Sequence, residues 1–114
     1  MRAEAVKAFV LLDPVSPEAT WVVRDALHGN EVNLLVYGLM GAPKLGLDSG
    51  VDRAGGLLSH SDRRVRLAAG TALQAYGVAA RSQLARIHQA AASETDAAVS
   101  ATLEALLTAL EPRG

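Results

Sequence analysis

The side chains of this chain best suited to acid–base work or metal ligation near neutral pH are three histidines, His28, His60 and His88. His28 and His60 fall at equivalent turns of successive helical segments, where packed helices would hold them about 10 Å apart. A shared ion needs its ligands at about 2 Å, so that pair cannot make one metal site. No His-Glu pair or His-x-x-x-His spacing occurs, and all three are expected to be surface histidines. The absence of cysteine excludes disulfides, thiolate ligation and a cysteine nucleophile. Six Asp and six Glu are scattered without a recognisable acid/base pair. The segment 41–46, GAPKLG, has the flavour of a phosphate loop, but no Ser or Thr follows the lysine and no strand precedes it. Gly-x-Ser-x-Gly is absent. Arg63, Arg64 and Arg66 cluster at one helix start, with Arg53 in the preceding helix, and guanidinium groups bind carboxylates and phosphates bidentately. The expectation is nevertheless a solvated turn, with Arg66 paired to an aspartate. No catalytic constellation or cofactor site emerges, and a non-enzymatic protein is expected.

The elements that would carry these residues are helical. Half of the 114 residues are hydrophobic and only 4% aromatic, and the apolar set is dominated by Ala, Leu and Val with a single Ile, Ile87. Ala and Leu are strong helix formers, and an all-β domain would want more β-branched and aromatic side chains. This balance also excludes a disordered chain. The net charge of −1 offers no basic excess for nucleic acid or a membrane surface. Glu4 and Lys7 interrupt the apolar run at the start, so it does not read as a secretion signal, and no stretch approaches the roughly 20 apolar residues of a membrane span. A cytoplasmic protein is expected. Nine Arg against two Lys, with abundant Ala, suggests a GC-rich bacterial source.

Punctuation divides the chain into seven helices. The first covers 2–12, with Ala5, Val6, Phe9 and Leu12 at helical spacing, and stops at Asp13-Pro14. Ser16-Pro17-Glu18 opens the second, which ends near His28-Gly29. Its Trp21, the lone tryptophan, is expected in the core. The third runs from about Asn30 to Ala42, closed by Pro43, and the fourth from about Gly50 to Ser59. Ser61 or Asp62 caps the fifth, which ends at Tyr76-Gly77; the sixth spans about Val78 to Ala92. Ser93-Glu94-Thr95-Asp96 matches a capping box and opens the seventh, which ends near Leu110.

The third, fifth and seventh helices overlay. Val32, Val65 and Val99 stand 33 and 34 residues apart, and the series Val36/Ala69/Leu103, Leu39/Ala72/Leu106 and Met40/Leu73/Leu107 follow at helical offsets. A period of 33–34 residues with two helices per unit is a solenoid signature, in which stacked units share one core. Residues 57–77 carry the clearest unit, with Asp62, Val65, Arg66, Ala69, Ala72 and Leu73, and this unit closely resembles the HEAT repeat. The last unit matches through Asp96, Val99, Leu103, Leu106 and Leu107 but has Ser100 at the arginine position; the first has Asn30, Val32 and Asn33 and lacks both charges. The resemblance implies an all-α, short, right-handed α-solenoid of about three helix pairs (units about 17–42, 50–77 and 78–110) after an N-terminal capping helix, forming a single domain. It also implies an inner face lined by the second helix of each pair. HEAT-like proteins are mostly binding scaffolds; a minority are bilin lyases, a di-iron hydroxylase or DNA glycosylases.

If Val65, Ala69, Ala72 and Tyr76 face the core, helix geometry turns Leu67, Gly70, Thr71 and Gln74 to the inner face. The matching positions are Leu34, Tyr37, Gly38 and Gly41 before them and Ala101, Glu104, Ala105 and Thr108 after them. Leu34, Tyr37 and Leu67 would supply apolar contact with a partner protein, with Arg64, Thr71 and Gln74 adding polar selectivity. The alternatives are a small-ligand-binding or lyase-like helper subunit using the same groove, and self-assembly through the Ala-rich C-terminal end.

Overall fold

The computed structural model describes residues 17–111, and the N-terminal helix expected over 2–12 lies outside them. Every regular element among the described residues is helical: α1 (Pro17–His28), α2 (Val32–Leu45), α3 (Ser49–Leu57), α4 (Arg63–Tyr76), a 3-10 segment (Gly77–Gln83), α5 (Leu84–Ser93) and α6 (Ala97–Leu110). No helix is long and apolar enough to cross a membrane.

Side-chain carboxylates set the helix starts. Glu31 accepts from the Leu34 amide, Asp62 from the Arg64 amide and Asp96 from the Val99 amide. The cap of α6 is therefore Asp96, not Ser93, which ends α5 and turns its hydroxyl back to the Gln89 carbonyl at 3.2 Å. Pro43 does not close α2 as expected. The helix runs through it to Leu45 and stops at Gly46, whose φ of 66° is left-handed. Bonds from the Gly46 amide to Pro43 O (3.2 Å) and from the Leu47 amide to Ala42 O (3.1 Å) form a Schellman closure. The buried Leu47 side chain anchors that closure from below, which is why the stop falls there and not at the proline.

A second departure lies after Tyr76. The helix expected to start at Val78 begins as 3-10 turns and becomes α-helical only at Leu84. The buried residues of the segment, Ala80 and Gln83, are three apart, and a three-residue turn places both on one side.

Packing follows chain order. α1 lies on α2, α3 on α4 and α5 on α6, while α2, α4 and α6 also pack in series with α4 in the middle. One core runs through all of them, from Val23 and Leu27 through Leu39 and Leu73 to Ile87, Leu103 and Leu106. Glycines permit the closest approaches. A Cβ on Gly38 would press on Ala26 and Leu27 of α1, and one on Gly70 would meet the Thr102 methyl of α6 at 2.9 Å. These two glycines therefore face neighbouring helices and do not lie on an open face, and Gly41 is buried as well.

Candidate functional site

Burial sets the repeat register. Leu35, Ala69 and Leu103 are all buried at steps of 34 residues, as are Leu39 and Leu73. The overlay built on Val32 is one residue out in the first unit: it matches Met40 with Leu73, but Met40 is 47% exposed and Leu73 fully buried. The outward side of α2 is consequently Asn33, Met40 and Lys44, with Tyr37 half-buried between them. On α4 it is Arg64, Thr71, Gln74 and Ala75, with Leu67 half-buried. On α6 it is Ala101, Glu104, Ala105 and Thr108.

The six residues expected to bind fall into two groups. Arg64, Thr71 and Gln74 are exposed, though each is engaged locally. Arg64 pairs with Asp62 at 3.0 Å, the Thr71 hydroxyl donates to Leu67 O at 2.9 Å, and the Gln74 amide donates to Thr102 O of α6 at 3.3 Å. Leu34, Tyr37 and Leu67 are not the exposed apolar trio expected. Leu34 and Tyr37 pack on Val22 and Ala26 of α1, and Leu67 packs on the main core. The large apolar side chains that are exposed are Met40, Val78 at 73% and Trp21 at 73%. Trp21, expected in the core, points outward because α1 buries the stripe Val22, Val23, Ala26 and Leu27 instead. The exposed side of α6 carries Ala, Thr and Glu, with Val99, Leu103, Leu106 and Leu110 turned inward.

Each arginine of the basic cluster has a partner. Arg53 donates to Leu27 O (2.6 Å) and Gly29 O (3.2 Å), closing the C-terminal end of α1. Arg63 reaches forward to Asp96 (2.6 Å). Arg66 takes Glu94 (2.9 Å), not an aspartate, and also donates to His60 O and Ser61 O. The Arg63 guanidinium, together with the Val99 amide, holds Asp96 down to about 2, and the Arg64 side chain and amide do the same for Asp62. Burial alone would push Glu94 up, but the Asp96 amide and the Arg66 guanidinium outweigh it and hold that carboxyl below its usual range.

A concavity lies elsewhere, on the side of α3 and α5. It encloses about 690 Å³ between the C-terminal end of α3, the turn at 58–61 and α5, with Arg66 as its one contribution from α4. Its walls combine Leu58, Ala90 and the backbone of Gly55 and Gly56 with hydroxyls, the Gln89 amide, His60, Arg86 and the Arg66–Glu94 pair. Gly55 shapes the adjoining wall, since a Cβ there would occupy the place of the Gln83 side chain. The Gln83 amide donates to Asp52 Oδ1 at 2.7 Å, and its carbonyl accepts from Arg86 Nη1 at 3.3 Å. Sequence reasoning missed this cleft. The available signal was the period itself, because Asp52 and Arg86 lie 34 residues apart and meet through Arg86 Nη1 and Asp52 O at 3.1 Å.

Of the histidines, His60 accepts the Asp62 amide at Nδ1 (3.0 Å) and His88 Nε2 meets Glu111 at 2.5 Å. Among the described residues no group of three or more His, Asp or Glu is placed to hold a metal ion. No family model matches the chain, and no curated protein or solved structure is found similar to it.

Proposed function

We propose that this chain is a non-enzymatic interaction module, a short right-handed HEAT-like solenoid that holds a segment of a partner protein across the outward side of α2, α4 and α6. The serial packing of those three helices and the 34-residue burial register support the stack. So does the Arg63–Asp96 bridge, which ties the first residue of α4 to the N-cap of α6. The observation that carries the binding face is the exposure of Met40 one turn from half-buried Tyr37 on α2, with half-buried Leu67 on α4, among mostly small or uncharged side chains. Methionine adapts its shape to a partner, and an exposed apolar patch rimmed by Lys44, Arg64 and Glu104 has the make-up of an interface. The test is affinity capture from source cells with the wild type and a Met40→Asp/Thr71→Asp variant of unchanged helicity. One protein retained by the wild type and lost by the variant supports the face; equal capture by both contradicts it.

A further inference from the structure

The geometry points to a second site on the other side of the molecule: the cleft between α3 and α5 binds the oxyanion of a small organic ligand, a carboxylate or a phosphate, through Arg86 and His60. This goes beyond the partner-binding face and does not depend on it. The reasoning is an inventory of donors and acceptors. Glu94, the carboxylate on the cleft wall, is spent: its oxygens accept from Arg66 Nε and Nη2 and from the Thr95 and Asp96 amides, and its side chain is 3% exposed. Arg66 is correspondingly neutralised. Arg86 has no carboxylate partner within ion-pair distance among the described residues.

The Arg86 guanidinium is nonetheless fixed in place. Its Nη1 is anchored on Asp52 O and Gln83 Oε1, which leaves Nε and Nη2 without a hydrogen-bond partner among the described residues. Those two N–H groups lie on one edge of the plane, the fork that matches two oxygens of a carboxylate or phosphate. His60 adds a second donor. Because Nδ1 accepts the Asp62 amide, the ring proton sits on Nε2, which has no partner among the described residues. Ser61, Thr95 and Gln89 line the same cleft, and their side chains make no hydrogen bond among the described residues. A concavity of about 690 Å³, rich in unspent donors and with its carboxylate consumed, suits a compact anionic ligand.

The test is a ¹H–¹⁵N titration with inorganic phosphate in one arm and succinate in the other, at constant ionic strength. The expected result is a saturable shift in at least one arm, confined to residues 56–61, the Arg86 side chain and 94–95. Saturation by phosphate alone or succinate alone identifies which oxyanion the site takes. Arg86→Gln should weaken binding about ten-fold or more, since it removes a charge-assisted pair of hydrogen bonds. Gly56→Leu leaves the arginine in place but fills the wall, where a Cβ would stand 3.7 Å from Arg86 Nη1, and should abolish binding while the fold is retained. Arg81→Gln, an exposed arginine outside the cleft, should bind as the wild type does. The proposal is overturned by the absence of a saturable shift with either anion, or by shifts of equal size in Gly56→Leu and the wild type.

Discussion

Two adjacent glycines of α3 should respond in opposite ways to the same substitution. Gly56 is exposed, and a Cβ there meets only the tip of Arg86 at 3.7 Å, so Gly56→Ala should gain most of the helix-propensity difference, about 0.5–1 kcal/mol. Gly55→Ala gains the same preference, but its Cβ falls on the Gln83 amide. That amide is on a flexible side chain and can move, so the cost is not the overlap itself. It is the 2.7 Å bond to Asp52 and the contact with Arg86 that the amide leaves behind, at a residue only 4% exposed. Leaving a buried polar group unpaired costs about 1–3 kcal/mol. Gly55→Ala should therefore fall about 1–3 kcal/mol below Gly56→Ala in urea unfolding, or roughly 4–12 °C in Tm for a domain of this size. Adding Gln83→Ala to Gly55→Ala should recover part of the loss, seen as a coupling in the double-mutant cycle. If both alanines stabilise equally, Gln83 does not occupy the space beside Gly55 and the cleft wall is wrongly described.

Gly50→Ala should cost about 2 kcal/mol or more, because its Cβ overlaps the rigid Tyr76 phenol that donates to Leu47 O, and Tyr76→Phe should restore part of it in chemical denaturation. Leu73→Ala, at a fully buried position of the central helix, should cost about 2–5 kcal/mol by the same assay. Asp62 and Asp96, held down to about 2, and Glu94, held below its usual range, are depressed in the fold. Their stabilisation is full above their ordinary values near 4 and is lost as pH falls toward 2. The urea midpoint should be level near pH 6 and drop between about pH 4 and 2; a midpoint unchanged down to pH 2.5 would contradict the bridges. Trp21 is the lone tryptophan and is 73% exposed, so acrylamide should quench its fluorescence in the folded protein nearly as efficiently as in urea.

The helical class and several helix ends were legible because they rest on local chemistry: Asp62 caps α4, and Gly77, with its positive φ, closes it. Pro43 misled because a proline stop competes with a Schellman closure three residues later, and the buried Leu47 settles the contest. The outward side of the helices was partly legible. Thr71 and Gln74 were placed outward correctly, whereas an Ala/Leu-rich helix tolerates a one-residue slip, and that slip hid Met40 and turned Gly38 outward. Trp21 was misplaced because size argues for burial but carries no information about which stripe of α1 faces the core. The cleft was not legible: its walls come from turns and helix ends about one repeat apart, and no single segment carries its pattern.

The most direct test of the account is site-specific photo-crosslinking in source cells from single positions on opposite sides of the molecule. Thr71 and Met40 sample the outward side of α4 and α2, and Ala85 samples α5. The expected result is one shared crosslinked protein from Thr71 and Met40 that is missing from Ala85. Crosslinks to that protein from Ala85 alone, or no adduct from Thr71 and Met40, would contradict the assignment of this face as the partner-binding surface.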